Sequence, residues 1–414
     1  MIALVSGGNP LEPHGGHHTL VRAHARAARR AGFDVHVFWL GSRDQVRETE
    51  IGCLHEVASG LLASGWPAPR ISWIPLHARR LRAALLAFAL AAREPVILHG
   101  FSLWAAVAVQ AAAVARGRGR RVPVVASLYT AIEHETAAMA AAATEQTARA
   151  TRLWYRAHHL RARVVSARLE RAILRQADRV WVNYATLEEE LRHRHPEAAN
   201  LTRVPYASES VFLARGSEGA GRRSGPPRIV CVSRYDPRKG IDVLLQALAR
   251  VQESGLQFHA SLVGHGKLER SLDRLRRELG LDAQVEITGR VPDSRGYLRH
   301  ADIFALPSLQ EGSGSLSMLE AMQEGCAVVA SRVDGIPEDV DDGVHALLVP
   351  PGDIAQLARA LARVLTDPLL RERLAAAARR RLDERFSAGA MVEAVAKGYA
   401  ELGVHPNRAL DARD

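Results

Sequence analysis

Arg234 and Lys239 stand with four residues between them, just past a short apolar run ending Val232-Ser233, and offer two complementary ways of gripping phosphate. Arginine presents a rigid planar fork of donors and lysine a compact point charge. Each charge-assisted hydrogen bond contributes about 1.5–3 kcal/mol net, so the pair can hold negative charge growing on a departing phosphate. Lysine is scarce in this chain. Only Lys239, Lys267 and Lys397 occur among 55 basic residues, which sets Lys239 apart from the default solvated cation. A second group of candidates is Glu311-Gly312-Ser313-Gly314-Ser315-Leu316, which leads into a segment bearing Glu320-Ala321-Met322. Gly and Ser N–H groups that open a helix are ready donors to an anion. The loop Gly7-Gly8-Asn9-Pro10-Leu11-Glu12-Pro13-His14-Gly15-Gly16 has the same character, with Gly15 and Gly16 as its candidates. An ordinary strand-to-helix connection would read similarly.

These residues need strands that end beside helix starts, and the chain supplies them. Ile2–Ser6, Asp34–Leu40, Pro95–His99, Val122–Leu128 and Arg179–Asn183 read as short buried strands. Between them lie Ala/Arg-rich helical stretches such as Leu20–Ala31, Ala78–Ala92 and Leu103–Ala115. Residues 214–227 form a polar Gly/Pro-rich linker, after which the alternation resumes at Arg228–Ser233, Gln257–Val263, Val285–Thr288, Ile303–Leu306, Ala327–Ser331 and Ala346–Val349. Alternating strand and helix predicts parallel sheets covered on both faces. In such sheets ligands bind beyond the carboxyl ends of the strands.

Val232-Ser233-Arg234, Lys239-Gly240, Leu262-Val263-Gly264-His265-Gly266, Pro307–Gly312, Glu320-Ala321-Met322, Gly335-Ile336-Pro337-Glu338 and Pro350-Pro351-Gly352-Asp353 follow one another in a characteristic order. Together they resemble the donor-binding half of the retaining glycosyltransferases of family 4, the glycosyl transferases group 1. The resemblance implies the GT-B fold, an α/β architecture of two doubly wound Rossmann-like domains facing a cleft. Residues 1–213 would be the acceptor-side domain, 214–227 the linker and 228–385 the donor-binding domain. Residues 386–414 would be a helical tail crossing back to the first domain. It implies a nucleotide diphosphate sugar as co-substrate, with no cofactor and no metal. Arg234 and Lys239 would stabilise the departing diphosphate, and Glu320 would hold the ribose. Glu311 and the turn through Gly312, Gly314, Ser315 and Leu316 would orient the sugar, with Gly15 and Gly16 touching the donor from the first domain.

The chain departs from the family pattern twice. Family members place seven residues between the two glutamates, whereas eight separate Glu311 from Glu320. Either the Gly312–Ser315 turn bulges and Glu311 still reaches the sugar, which is the favoured reading, or that contact is lost. The strand ending Ser127-Leu128-Tyr129 places a tyrosine where the family often has a histidine facing the sugar. Tyrosine donates the same hydrogen bond but is no base near neutral pH. His134 is the candidate that would compensate as a catalytic group, and His99 is a weaker one. Asp339-Val340-Asp341 has the form of a manganese motif but lies in a loop, and it reads as coincidence.

Composition bounds the partners. Hydrophobic residues make up 47% and charged residues 24% of 414, ordinary for a globular protein. Residues 1–212 hold 27 Arg, no Lys and 17 acidic residues, while residues 213–414 hold 28 basic and 28 acidic residues. The whole net charge of +10 therefore sits in the first half, as expected of a surface that meets something anionic. An anionic or lipid-linked acceptor fits that asymmetry, as does an Arg-rich composition with no partner. Nucleic acid is not expected, since no reader motif is present. Residues 149–179 carry nine arginines, with Leu153, Leu160, Val164 and Ile173 roughly along one helical face. That face is expected to pack into the fold, with a peripheral membrane contact as the other reading. No signal peptide or spanning segment is evident, and Cys53, Cys231 and Cys326 show no metal or disulfide spacing, which points to the cytoplasm. Two other functions stay open: a catalytically idle sugar-nucleotide-binding homologue and a nucleotide-sugar epimerase.

Overall fold

Short runs of aliphatic residues buried on both sides make the strands, as parallel sheets require. The computed structural model describes residues 1–12, 16–59, 78–143, 149–213 and 225–407. By packing, the chain divides into one unit of Met1–Glu133, Arg161–Leu213 and Phe386–Asp414, and a second of His134–Leu160 and Ala214–Arg385. Residues 134–160, read in sequence as part of a 1–213 domain, thus group with the second unit. Of the expected linker, residues 214–224 lie outside the described residues.

The first unit holds β1 (Ile2–Val5), β2 (Val35–Gly41), β3 (Gln45–Thr49), β4 (Gly52–Ala58), β5 (Ile97–Phe101), β6 (Val124–Ser127), β7 (Arg179–Val182) and β8 (Leu201–Arg203). Their order is β3-β4-β2-β1-β5-β6-β7-β8. Only β3 runs antiparallel to its neighbour, β4. The turn joining them needs Gly52, whose φ is +123° and whose absent Cβ would lie 2.3 Å from the Val35 carbonyl oxygen. Ile2, Leu4, Val37, Leu54, Ile97 and Val125 are fully buried, and Met391, Val395 and Tyr399 of the helix Ala388–Ala400 join the same core.

The second unit holds β9 (Arg228–Val232), β10 (His259–Val263), β11 (Val285–Gly289), β12 (Ile303–Leu306), β13 (Ala327–Ser331) and β14 (Ala346–Val349). All are parallel, in the order β11-β10-β9-β12-β13-β14. This is the doubly wound Rossmann order, and it reverses between β9 and β12, where such sheets open a crevice for a ligand. The two doubly wound sheets expected from the strand–helix alternation are both present.

The basic segment behaves differently from its expected packing. Leu153, Leu160 and Val164 are 56%, 62% and 48% exposed, while Ile173 is buried. A π-helical turn at Ala162–Ser166 separates the helices Arg149–Arg161 and Ala167–Gln176. The extra residue in that turn breaks the 3.6-residue register, so positions on either side no longer share a face. No helix among the described residues is long and apolar enough to cross a membrane.

Candidate active site

The chain leaves β9 through Ser233 and Arg234, then folds Pro237–Lys239 into a single 3-10 turn ended by Gly240 in the left-handed region at φ 60°. A Cβ on Gly240 would stand 2.2 Å from the Pro307 carbonyl oxygen, so only glycine lets this turn lie against the end of β12. The Arg238 carbonyl oxygen accepts from the N–H groups of Leu309 (2.7 Å) and Gln310 (3.2 Å). Its guanidinium donates back to the carbonyl oxygens of Gln310 (3.2 Å) and Glu311 (3.1 Å). Arg238 thereby ties the loop after β9 to the loop after β12, across the point where the strand order reverses. Its side chain is only 5% exposed.

Lys239 Nζ lies 2.5 Å from Glu311 Oε2, and the Ser308 hydroxyl donates to Glu311 Oε1 at 2.5 Å. Burial would raise the Glu311 carboxyl, but Lys239 and Arg238 more than reverse that and hold it below the usual range. For Lys239, burial dominates and lowers the ammonium despite the Glu311 charge. Between the two glutamates the chain turns through Gly312, whose φ is +83°. Asp334 fixes the turn, with Oδ2 accepting from the N–H groups of both Glu311 and Gly312 at 2.6 Å. Ser315 then caps the helix Leu316–Glu324, its hydroxyl accepting from the Met318 N–H. Gly314, Ser315 and Leu316 thus stand at a helix N-terminus that favours an anion. Glu320 lies further along this helix, half-buried.

Arg234 is 56% exposed at the side chain and meets Glu135, whose Oε1 accepts from Arg234 at 3.1 Å and from Arg238 at 2.7 Å. Burial alone would raise the Glu135 carboxyl. Arg238 and Arg234 overcome it and pull the group down to about 2. Asp236 adds a carboxylate 3.5 Å from Arg234 and 3.7 Å from Arg238. Three cations, Arg234, Arg238 and Lys239, therefore face three carboxylates, Glu135, Asp236 and Glu311. His134, the sequence candidate, is half-buried on the helix Ile132–Ala142, one residue before Glu135. Glu135 is the side chain of that helix that engages Arg234 and Arg238, and Arg238, Glu135, Ser308 and Asp334 are the site residues the sequence did not single out. The Asp339-Val340-Asp341 carboxylates do not converge, since Asp339 is fully buried and the Asp341 side chain is 62% exposed.

The remaining candidates belong to the first unit. Gly15 lies outside the described residues, and Gly16 is the exposed first residue of the helix Gly16–Arg30. At the end of β1 the Gly7 N–H donates to His17 Nε2 at 2.9 Å. Burial lowers the His17 imidazole to about 4 and keeps it a neutral acceptor. The Tyr129 hydroxyl lies 3.1 Å from His24 Nε2, and His99 bridges the Tyr399 hydroxyl (2.7 Å) and the Ser127 hydroxyl (2.8 Å). His99 is fully buried and its imidazole is held well below the ordinary value by burial, which makes it a structural link rather than an exposed base.

Comparison with known proteins places both halves of the chain. A family model described as Glycosyltransferase Family 4 matches residues 14–206, and one described as Glycosyl transferases group 1 matches residues 226–367. The chain is 33% identical over 302 residues to a D-inositol 3-phosphate glycosyltransferase from Saccharomonospora viridis, covering 68% of this chain and 65% of that protein. It is 38% identical over 183 residues to a phosphatidyl-myo-inositol mannosyltransferase from Mycobacterium leprae, covering 43% of this chain and 48% of that one. The matches span between about a third and two thirds of the length of the curated relatives. Among solved structures, sucrose-phosphate synthase from Thermosynechococcus elongatus superposes with a TM-score of 0.75 at 24% identity over 97% of this chain and 98% of that one. HepE from Anabaena, in complex with UDP-glucose, gives 0.68 at 18% identity over 97% and 100%.

Proposed function

The chain belongs to glycosyltransferase family 4, with the GT-B pair of Rossmann-like sheets, and from that premise we propose that it is a retaining glycosyltransferase that moves a sugar from a nucleotide diphosphate to an acceptor in glycan or glycoconjugate biosynthesis. The observation that carries the reading is the convergence of Arg234, Arg238 and Lys239 where the strand order of the second sheet reverses. The UDP-glucose held by the HepE neighbour supports a nucleotide diphosphate donor. In this reading Arg234, Arg238 and Lys239 neutralise the diphosphate as the glycosidic bond breaks, which is where preorganised charge lowers a barrier most. The N-terminus of the helix Leu316–Glu324 adds backbone donors, and Glu320 holds the ribose hydroxyls. Glu311, positioned by Lys239 and Ser308, orients the sugar. The acceptor hydroxyl attacks the face the diphosphate leaves, its proton passing to a donor phosphate oxygen, so the anomeric configuration is kept and no metal is required.

The acceptor we propose is anionic. Support comes from the charge of the first half of the chain and from the inositol phosphate and phosphatidylinositol named for the two relatives. A screen of UDP-, GDP-, ADP- and dTDP-sugars by thermal shift identifies the donor, since a ligand at ~100 times its Kd adds about 2.7 kcal/mol. NMR of the product formed from that donor and a phosphoinositol acceptor then tests the chemistry. Retained configuration, with a rate unchanged by EDTA, is expected. Inverted configuration would overturn the retaining reading, and a strict metal requirement the metal-free one.

A further inference from the structure

Three metal-ligating side chains meet on one face of the first sheet, on strands where the sequence shows no ligand spacing. Parallel pairing of β2 with β4 sets His36 beside Cys53 and Phe38 beside His55. Side chains alternate along a strand, so His36, Cys53 and His55 share one face. Antiparallel β3 places Glu48 opposite Cys53 on that same face. One ligand atom from each of His36, Cys53 and His55 falls within 4.8 Å of the others. His36 Nδ1 is 2.9 Å from His55 Nε2, while His36 Nε2 is 3.2 Å from Asp34 Oδ2. A carboxylate on the far ring nitrogen is the outer-shell arrangement of a metal-bound histidine. It fixes the tautomer and turns the other lone pair inward. Aromatic rings hold the imidazoles in place: Phe38 stacks on His55 at 4.2 Å between centroids, and Phe88 lies 4.5 Å from His36. The cluster is open to solvent, since the side chains of His36 and Asp34 are 16% and 53% exposed.

We propose that His36, Cys53 and His55 bind a divalent transition-metal ion of the zinc class, with the Glu48 carboxylate as fourth ligand and Asp34 orienting His36. Two nitrogens and a thiolate completed by one oxygen is a ligand set that suits tetrahedral zinc. At metal–nitrogen distances of about 2.0–2.1 Å the two ring nitrogens stand about 3.3 Å apart, so the rings separate by about 0.4 Å as the metal replaces their mutual hydrogen bond. The Cys53 thiol, kept protonated in the metal-free state by burial and by the Glu48 carboxylate, gives its proton to solvent on binding.

Co2+ serves as the spectroscopic probe, added to the chelator-stripped 414-residue chain. A thiolate-to-cobalt charge-transfer band saturating at about one equivalent and displaced by Zn2+ is expected. Cys231 and Cys326 are buried, so Cys53→Ser should abolish the band while leaving them intact. His55→Gln and His36→Gln should each weaken binding at least about tenfold, the usual scale for lost ligation or its support. Zn2+ should also raise the melting temperature of the wild type and not of Cys53→Ser. Wild-type protein with neither band nor zinc-dependent melting shift overturns the proposal, as does a band that survives Cys53→Ser. Neither outcome depends on whether a sugar is transferred.

Discussion

Arg238 is the residue on which the site turns, because one guanidinium holds two loop carbonyls and a carboxylate at once. In the proposed reaction Arg238 and Lys239 meet the departing diphosphate, so replacing either by Ala should lower turnover by at least about a hundredfold. Lys239→Ala also leaves Glu311 buried without its cation, so melting is measured beside turnover to separate the two losses. Glu135 plays the opposite part. Its carboxylate holds Arg234 and Arg238, the cations proposed to take a phosphate, so Glu135→Gln should tighten nucleoside diphosphate binding severalfold. The same carboxyl, held at about 2 when folded, contributes stability that is full above the ordinary range near 4.3 and disappears as pH falls toward 2. Acid melting curves should therefore drop more steeply for wild type than for Glu135→Gln over that window. Weaker nucleotide binding in Glu135→Gln would show that the carboxylate assists the ligand rather than competing with it. Arg234 and Lys239 were legible in sequence because a scarce lysine stood beside an arginine past a strand. Arg238 lies in the same run, but its importance comes from Glu135 and Glu311, 103 and 73 residues away along the chain, which only the fold brings near.

The loop after β12 is held by a single carboxylate. Eight residues separate the glutamates, and the turn between them passes through the left-handed Gly312 while Asp334 pins the N–H groups of Glu311 and Gly312. Asp334→Ala removes two charge-assisted bonds and should cost at least about 2 kcal/mol in denaturant melts and weaken nucleotide binding with it. Unchanged stability would mean the turn holds itself. The strand ends beside these loops were legible because fully buried parallel strands are short aliphatic runs, and β12, β13 and β14 fall where the sequence put them. β3 and β4 were not, because Gln45-Val46-Arg47-Glu48-Thr49 is a polar edge strand whose partner supplies its pairing. The basic helix was misread for a local reason, the π-turn that separates its apolar positions. With Leu153 and Leu160 exposed among arginines, vesicles of anionic lipid offer a direct check. Binding at low salt should fall steeply toward physiological salt as the Debye length shortens to about 8 Å, and replacing Arg152, Arg156 and Arg163 together should remove most of it. Wild-type protein that ignores such vesicles at low salt would leave a soluble acceptor.

Across the whole chain, charge and chemistry are divided. Residues 1–212 carry the entire excess of +10, whereas Arg234, Arg238 and Lys239 belong to a second half that is neutral in sum, and they are matched there by Asp236 and Glu311 and from the first half by Glu135. That division was visible in composition, but the grouping of residues 134–160 with the second unit was not, because segment boundaries set by packing leave no mark in local pattern. It matters for function, since this segment brings Glu135 to Arg234 and Arg238. The central claim is that these cations receive the diphosphate of a sugar nucleotide, and calorimetric titration tests it most directly. The nucleoside diphosphate of the preferred base is titrated against its monophosphate, in wild type and in Arg238→Ala. The account predicts a diphosphate preference of at least about tenfold, worth 1.4 kcal/mol, that largely vanishes in Arg238→Ala. Equal affinity for the two nucleotides in wild type, or a preference that survives Arg238→Ala intact, would contradict it.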